Sequence, residues 1–114
     1  MNIEEIISYT RSLPNFSTWE CDGCTQVLDY LLIKHGIKHA VYCGDAYVPG
    51  AFSIFHMWIM IDGKILDLKA KMWFGPDAKE GLFNEDESIV NYSEYGHPMK
   101  DVCTSEFLFE ILNT

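Results

Sequence analysis

The chain has 114 residues, of which 48% are hydrophobic and 14% aromatic, and this composition suits one folded domain over residues 1–114 rather than a disordered linker. Seventeen acidic and eight basic side chains give a net charge of −9. That charge disfavours nucleic acid and anionic membrane as partners, and it favours a protein or peptide partner, preferably a basic one. No apolar run reaches the ~18 residues that a membrane span needs.

The cysteines are interpreted as reduced thiols. Residues 1–5 have neither the basic start nor the apolar stretch of a signal peptide, so we expect a cytoplasmic protein. In that compartment a thiol serves catalysis, metal binding or simple packing. The cysteines to be assigned are Cys21, Cys24, Cys43 and Cys103.

Two helices are predicted in the first third of the chain. Isoleucines spaced three and four residues apart, with acidic residues early, indicate a helix over residues 2–12 that ends before Pro14. A stronger apolar stripe predicts a second helix over residues 21–35, which Gly36 terminates.

The rest of the chain favours strands. A strand is predicted over residues 37–43 and a loop over 44–50. The β-branched and aromatic residues 51–61, the turn dipeptide Asp62-Gly63 and residues 64–69 together predict a hairpin. Weaker patterns predict a loop over 85–87, a short strand over 88–92 and a helix over 104–112. This order indicates an α+β domain whose N-terminal helices pack on an antiparallel sheet.

The predicted hairpin fixes the position of His56 relative to the aspartates of the second strand and the turn. A two-residue turn places Ile61 opposite Lys64, and counting back along both strands brings His56 diagonally next to Asp67 on a shared face. Such diagonal neighbours have Cβ atoms roughly 5–8 Å apart, close enough for a carboxylate to hold an imidazole. Asp62 in the turn lies roughly 20 Å from His56 along the strand, so we expect its role to be confined to the turn.

An imidazole held by a carboxylate lacks only a nucleophile. Cys21 stands at the head of the strongest predicted helix, where exposed N–H groups and the helix dipole favour a thiolate, although the adjacent Asp22 opposes this effect. Cys24 falls on the apolar stripe of the same helix and is interpreted as a core thiol. The pattern therefore favours Cys21, His56 and Asp67 as a catalytic set.

These residues resemble a known family. Cys21, followed by Gly36-Ile37, by the strand motif His56-Met57-Trp58 and by Asp67, is similar to the transglutaminase-like core of the papain-like thiol enzymes. The likeness is strongest to the short variants related to lasso-peptide leader peptidases, and it covers about residues 19–68. It implies a papain-like fold and a thiol-dependent hydrolase or acyl transferase, such as a protease, amidase or deamidase.

The same resemblance implies a role for each residue. Cys21 attacks the carbonyl carbon, His56 acts first as base and then as acid, and Asp67 orients His56. The backbone N–H of Cys21 meets the oxyanion, together with a side-chain donor from Asn15 or Trp19. Trp58 and the loop over 44–50 line the substrate cleft. Neither a metal nor an organic cofactor is expected.

Other interpretations of the same residues remain open. Cys21 and Cys24 with His35 and His39 approach the spacing of a zinc finger, although the interval between the pairs is short and Gly36 interrupts the helix. A C-x-x-C motif at a helix N-terminus is also typical of thioredoxin-like redox domains, although no apolar strand precedes it here. A third possibility is an acidic binding or inhibitor module with an inactive site on the same fold.

Overall fold

The fold is an α+β arrangement in which helices cover one face of an antiparallel sheet. A computed structural model describes residues 1–51 and 53–94. Helices α1 (Ile3–Ser12) and α2 (Cys21–Lys34) share one apolar core with the sheet. The predicted fold class, with N-terminal helices packed on an antiparallel sheet, is confirmed at this level.

Both predicted N-terminal helices are present within one residue of their predicted bounds. The side chain of Asn2 caps α1, accepting a hydrogen bond from the Glu5 N–H at 2.8 Å, while the Glu5 carboxylate accepts one from the Asn2 N–H at 2.9 Å. Helix α2 begins without a side-chain cap, because Glu20 at its N-cap makes no capping hydrogen bond. The N–H of Gly23 in the first turn instead donates to Oδ1 of Asp22, at 2.8 Å.

The sheet contains five strands in the order β4-β3-β2-β1-β5, all recorded pairs being antiparallel. A short helix, α3, follows β3, and 3-10 helices lie at Phe16–Thr18 and Glu85–Glu87. The bounds are β1 Ala40–Tyr47, β2 Ser53–Ile61, β3 Lys64–Asp67, α3 Ala70–Phe74, β4 Gly81–Phe83 and β5 Asn91–Glu94.

Several predicted elements differ from those in the structure, and strand β1 shows most clearly why. Strand β1 starts three residues later than predicted and runs through Gly44–Tyr47, which the sequence pattern assigned to a loop. Residues in this stretch have weak strand propensity, but pairing with β2 on one side and β5 on the other overrides it. Helix α3 and strand β4 were not predicted, and residues 85–87 form a 3-10 turn. The predicted helix over 104–112 lies outside the described residues.

The predicted hairpin and its register are confirmed. Asp62 and Gly63 have φ values of +51° and +77°, the left-handed conformation that a two-residue type I′ turn requires at both positions. Ile61 pairs with Lys64, Met60 with Ile65 and Ile59 with Leu66. This register places alternate side chains of β2 on opposite faces of the sheet.

The sheet curls so that its two edge strands approach each other. A flat sheet would separate β4 from β5 by about 19 Å, which is four strand spacings. The rings of Phe83 on β4 and Tyr92 on β5 instead have centroids 6.3 Å apart. The face opposite α1 and α2 is therefore concave, and it holds a second apolar cluster formed by Trp58, Ile65 and Phe83.

No helix within residues 1–51 and 53–94 combines the length and the apolar character that crossing a membrane requires.

A charged pair connects α2 to the segment before β1. Nε2 of His39 lies 2.6 Å from Oδ1 of Asp29, and Nδ1 lies 2.8 Å from the carbonyl oxygen of Ile37. Both partners can only accept, so both ring nitrogens donate and the imidazole is the charged form. The hydrogen bond to Asp29 is the largest cause that raises the pKa of His39, and it outweighs the opposing effect of burial.

This pair makes the free energy of unfolding depend on pH. Since the pKa of His39 is raised in the folded state, its contribution is complete below about pH 6.5, its unfolded value, and is lost as pH rises through the folded value. We expect His39→Gln to lower the free energy of unfolding by about 2 kcal/mol in mildly acidic buffer and by less in alkaline buffer.

Urea unfolding of both proteins across this pH range measures the difference. His35→Gln is the matched control, because the recorded partner of His35 is the amino group of Met1 and not a carboxylate. A loss that is independent of pH for His39→Gln would contradict a charged imidazole.

Candidate active site

The centre of the candidate site is a buried histidine bound to a buried carboxylate. Nε2 of His56 on β2 donates to Oδ2 of Asp67 at the end of β3, at 2.7 Å. His56 is 0% exposed and Asp67 is 4% exposed. The ladder between β2 and β3 ends at Ile59–Leu66, so this side-chain contact joins the two strands beyond their last recorded pair.

Asp67 accepts two further hydrogen bonds. The hydroxyl of Tyr92 on β5 donates to Oδ2 at 2.9 Å, and the backbone N–H of Lys69 donates to Oδ1 at 2.9 Å. A buried carboxylate needs several donors to offset its lost hydration, and here three different parts of the chain supply them. Burial and the nearby negative charge of Asp67 raise the pKa of Tyr92, which keeps the phenol protonated as a donor.

Aromatic rings surround the imidazole of His56. The ring of Trp58 is stacked on it with centroids 6.4 Å apart and an interplanar angle of 22°. Phe74 of α3 meets it edge-on at 6.2 Å, and Tyr92 lies 6.2 Å away at an intermediate tilt. Gly44 stands opposite His56 in the β1–β2 ladder, so no side chain from that position of β1 competes for this space.

Cys21 approaches His56 from the start of α2. Of the imidazole nitrogens, Nε2 is occupied by Asp67, whereas the buried Nδ1 has no aligned hydrogen bond to any described residue. Interaction with Cys21 is nevertheless one of the causes that raise the pKa of His56. The nitrogen available to the thiol is therefore Nδ1. Cys21 itself is half-buried and is a free cysteine.

The imidazole of His56 is set to carry a proton at neutral pH. Burial alone would lower its pKa, but the hydrogen bond to Asp67 and the interactions with Cys21 outweigh burial and raise the pKa to about 9. The protonated imidazole is thus paired with the carboxylate of Asp67 inside the protein.

Cys24 has the character of a core thiol. It is 2% exposed, and burial raises its pKa to about 12, although the positive charge of Lys69 opposes this rise. Lys69 is itself 5% exposed, and burial lowers its pKa. Its ammonium group donates to the carbonyl oxygen of Phe16 and lies 3.9 Å from the centroid of that ring. Through these contacts Lys69 connects the 3-10 helix that precedes α2 to the end of β3, where Asp67 lies.

A cleft of about 400 Å³ opens next to Cys21, and we call it the thiol cleft. Its walls include two large exposed apolar side chains, Phe55 at 58% and Trp73 at 36% exposure. Acidic side chains lie on the same wall as the cysteine. The lining residues are Glu20, Cys21, Asp22, Ile54, Phe55, Met57 and Trp73.

None of the three residues expected to bind substrate or the oxyanion lines the thiol cleft. Asn15 immediately precedes the 3-10 helix and is half-buried, and Trp19 is 6% exposed in the helix-side core. Neither lines the thiol cleft. Trp58 lies beneath His56 and lines a separate cavity on the concave face, which we call the aromatic cavity. The residues that line it are Tyr42, Trp58, Met60, Ile65, Glu85 and Tyr92.

Two contributors to the site were not predicted from the sequence. Tyr92 reaches Asp67 only because β5 pairs with β1, a long-range pairing that leaves no local signal. Trp73 was not among the residues expected at the site, and the short helix α3 places it, partly exposed, at the thiol cleft. A helix of five residues is too short to give a recognisable periodicity.

The alternative metal and redox arrangements are not assembled in the described part of the chain. Within residues 1–51 and 53–94, no three His, Cys, Asp or Glu side chains converge in a metal-binding geometry. His39 is bound to Asp29 and Ile37, and His35 to the N-terminal amine. The C-x-x-C motif follows a 3-10 turn rather than a strand, and the recorded strand pairs are antiparallel, unlike a βαβ unit.

Comparisons of this chain with protein-family models, with curated proteins and with solved structures found no match.

Replacing the carboxylate should change the acid–base behaviour of His56. In Asp67→Asn the negative charge disappears while the shape is kept, so we expect the pKa of His56 to fall well below about 9 because burial is then opposed by fewer favourable interactions. NMR titration of the imidazole resonances measures this value.

Asp62→Asn is the matched control, since Asp62 lies in the β2–β3 turn at the far end of the hairpin. Its substitution should leave the pKa of His56 unchanged. Equal values for His56 in the two variants would contradict the assignment of Asp67 as its partner.

Proposed function

We propose that this chain is a thiol-dependent hydrolase or acyl transferase that acts on a peptide or amide bond, built on a papain-like, transglutaminase-like core. One observation carries the proposal. His56 is held by Asp67 through Nε2, at 2.7 Å, while its Nδ1 is buried without an aligned partner. We infer that Cys21, whose charge acts on the pKa of His56, is the nucleophile that this histidine and its carboxylate serve.

The first half of the reaction forms a thioester. The sulfur of Cys21 attacks the carbonyl carbon, forming a carbon–sulfur bond and a tetrahedral oxyanion. N–H groups at the uncapped start of α2, that of Cys21 first, are suited to stabilise this charge. The carbon–nitrogen bond then breaks, and the leaving amine takes the proton that His56 carries.

The second half regenerates the thiol. His56, now neutral, accepts a proton from water or from an acceptor amine, whose lone pair attacks the thioester carbon. The carbon–sulfur bond breaks, releasing an acid in hydrolysis or a new amide in transfer, and the proton returns to the Cys21–His56 pair. Asp67 stays ionised throughout and compensates the charge on the imidazole.

The walls of the thiol cleft favour a particular class of substrate. Phe55 and Trp73 offer apolar surface, while Glu20 and Asp22 place negative charge beside the nucleophile. A chain with a net charge of −9 also attracts cationic partners over a distance. We therefore propose a protein or peptide substrate with an apolar residue near the reacting amide and a basic residue next to it. A catalytic thiol also suits the reducing conditions of the cytoplasm.

The reactivity of Cys21 tests the proposal without a known substrate. At about pH 6 an unassisted thiol is almost wholly protonated, so we expect iodoacetamide to label Cys21 roughly tenfold or more faster in the wild type than in His56→Gln. Mass spectrometry of peptides from each time point gives the rate for every cysteine separately.

Two cysteines of the same chain serve as internal controls. Cys43 is half-buried, as Cys21 is, and Cys24 is buried. Both should react slowly at this pH in both proteins. Slow labelling of Cys21 as well, indifferent to His56, would refute an activated thiol and leave an acidic binding module as the remaining interpretation.

A second test separates catalysis from folding. Cys21→Ala removes a half-buried sulfur, so we expect the free energy of unfolding to change by less than about 1 kcal/mol while activity is abolished. Activity is measured by mass spectrometry on a library of basic peptides that contain Gln and Asn, which reports cleavage, deamidation and amine transfer together. Cys43→Ala should keep full activity. A large loss of stability in Cys21→Ala would indicate a structural cysteine.

A further inference from the structure

The aromatic cavity on the concave face of the sheet is lined by none of the three residues proposed to react, although its residues Trp58 and Tyr92 contact His56 and Asp67. Its volume is about 160 Å³, and it shares no lining residue with the thiol cleft. Of its lining residues, Trp58 and Ile65 are buried, whereas Tyr42, Met60 and Tyr92 are partly exposed. The cavity therefore has a closed floor and a mouth that solvent can enter.

Two tyrosines flank the tryptophan at the floor. The ring of Tyr42 on β1 lies 6.4 Å from that of Trp58, inclined by 56°, and the ring of Tyr92 on β5 lies 5.1 Å away, inclined by 65°. These angles make the tyrosines side walls rather than further layers of a stack. Electron-rich aromatic rings arranged around one space attract a cation and its bound methyl groups.

A carboxylate stands at the same cavity. Oε2 of Glu85 accepts a hydrogen bond from the backbone N–H of Tyr92 at 3.1 Å, which holds the exposed side chain beside the rings. No lysine or arginine among the described residues forms an ion pair with Glu85. The negative charge is thus fixed in place and available to a cation from outside.

The size of the cavity limits what it can hold. An engineered protein cavity of about 150 Å³ accommodates a molecule as large as benzene, so the space here suits a group of five or six heavy atoms. A nucleotide or a sugar chain is too large. A bare ammonium or metal ion would keep its water shell and would leave the apolar walls, Met60 and Ile65, without contacts.

We propose that the aromatic cavity binds a methylated or quaternary ammonium group, with the rings of Tyr42, Trp58 and Tyr92 around its methyl groups and Glu85 compensating its charge. Such a group occurs on small molecules of the choline type and on methylated lysine side chains. Both sources offer the same head group to the cavity. The inference does not depend on the reactivity of Cys21.

Binding is tested on the full chain with choline and its neutral isostere, 3,3-dimethylbutan-1-ol. The two probes have the same shape and differ in charge, so we expect choline to bind the wild type about tenfold or more tightly. The indole N–H resonances of the three tryptophans report where binding occurs, and that of Trp58 should move alone. Equal affinity for the two probes, or no movement of the Trp58 resonance, would overturn the proposal.

Three substitutions assign the contributions of individual residues. Glu85→Gln keeps an acceptor for the Tyr92 N–H and removes the charge, so we expect choline affinity to fall roughly threefold to tenfold with no change for the neutral probe. Tyr92→Leu removes a wall and should weaken choline about tenfold. Tyr92→Phe keeps the ring and should bind as the wild type does. Equal losses in the last two variants would contradict a role for the ring.

The source of the head group is resolved by a third pair of probes. A short peptide carrying trimethyllysine and the same peptide with unmodified lysine differ only in three methyl groups. Preference for the methylated peptide over choline assigns the cavity to a modified protein, and the reverse assigns it to a small molecule. Trp73→Leu in the thiol cleft should leave all these affinities unchanged.

Discussion

The candidate site depends on the hydrogen bonds that the buried carboxylate of Asp67 accepts. This carboxylate is nearly inaccessible to water, and it is stable there because donors from His56 on β2, Tyr92 on β5 and the backbone of Lys69 converge on its two oxygens. An unpaired carboxylate in such a place would cost several kcal/mol. These donors fix the orientation of the imidazole and join Tyr92 of the edge strand β5 to the end of β3 across the concave face. The electrostatics of the site and its candidate chemistry therefore depend on one carboxylate.

The parts of this arrangement that could be predicted are those that local rules control. The Asp62-Gly63 turn admits one register, and that register brings His56 to Asp67. The apolar stripes, ended by Pro14 and Gly36, locate the helices and put Cys21 at a helix start. Long-range pairing decided the rest. Gly44–Tyr47 is strand because β5 pairs with it, and that pairing also delivers Tyr92. No pattern within a short window of residues contains that information, because strand partners distant in the chain are selected by packing.

On the concave face, the His56–Asp67 pair and the aromatic cavity share two residues. Trp58 stacks on His56 and also forms the floor of the aromatic cavity, and Tyr92 bonds to Asp67 and also forms its wall. A ligand held by these rings would thus contact the residues that fix the imidazole. If the ligand prefers one arrangement of the rings, its binding changes the free energy of binding at the thiol cleft, and binding at the thiol cleft changes the affinity for the ligand by the same factor. Acidic side chains lie at both cavities, Asp22 at one and Glu85 at the other. Positive charge on a partner would be recognised at two places.

The curl of the sheet also sets the order in which the site can form as the chain is made. Cys21, His56 and Asp67 are all synthesised before Tyr92, whose strand must return across the sheet to pair with β1. Until it does, His56 and Trp58 lie on an open sheet face in contact with water, where the attraction between imidazolium and carboxylate is several times weaker than in a protein interior. A nascent chain therefore carries His56 and Asp67 without the dry surroundings that strengthen their pairing. Under the proposed function, Cys21 would gain its reactivity only after β5 has paired with β1.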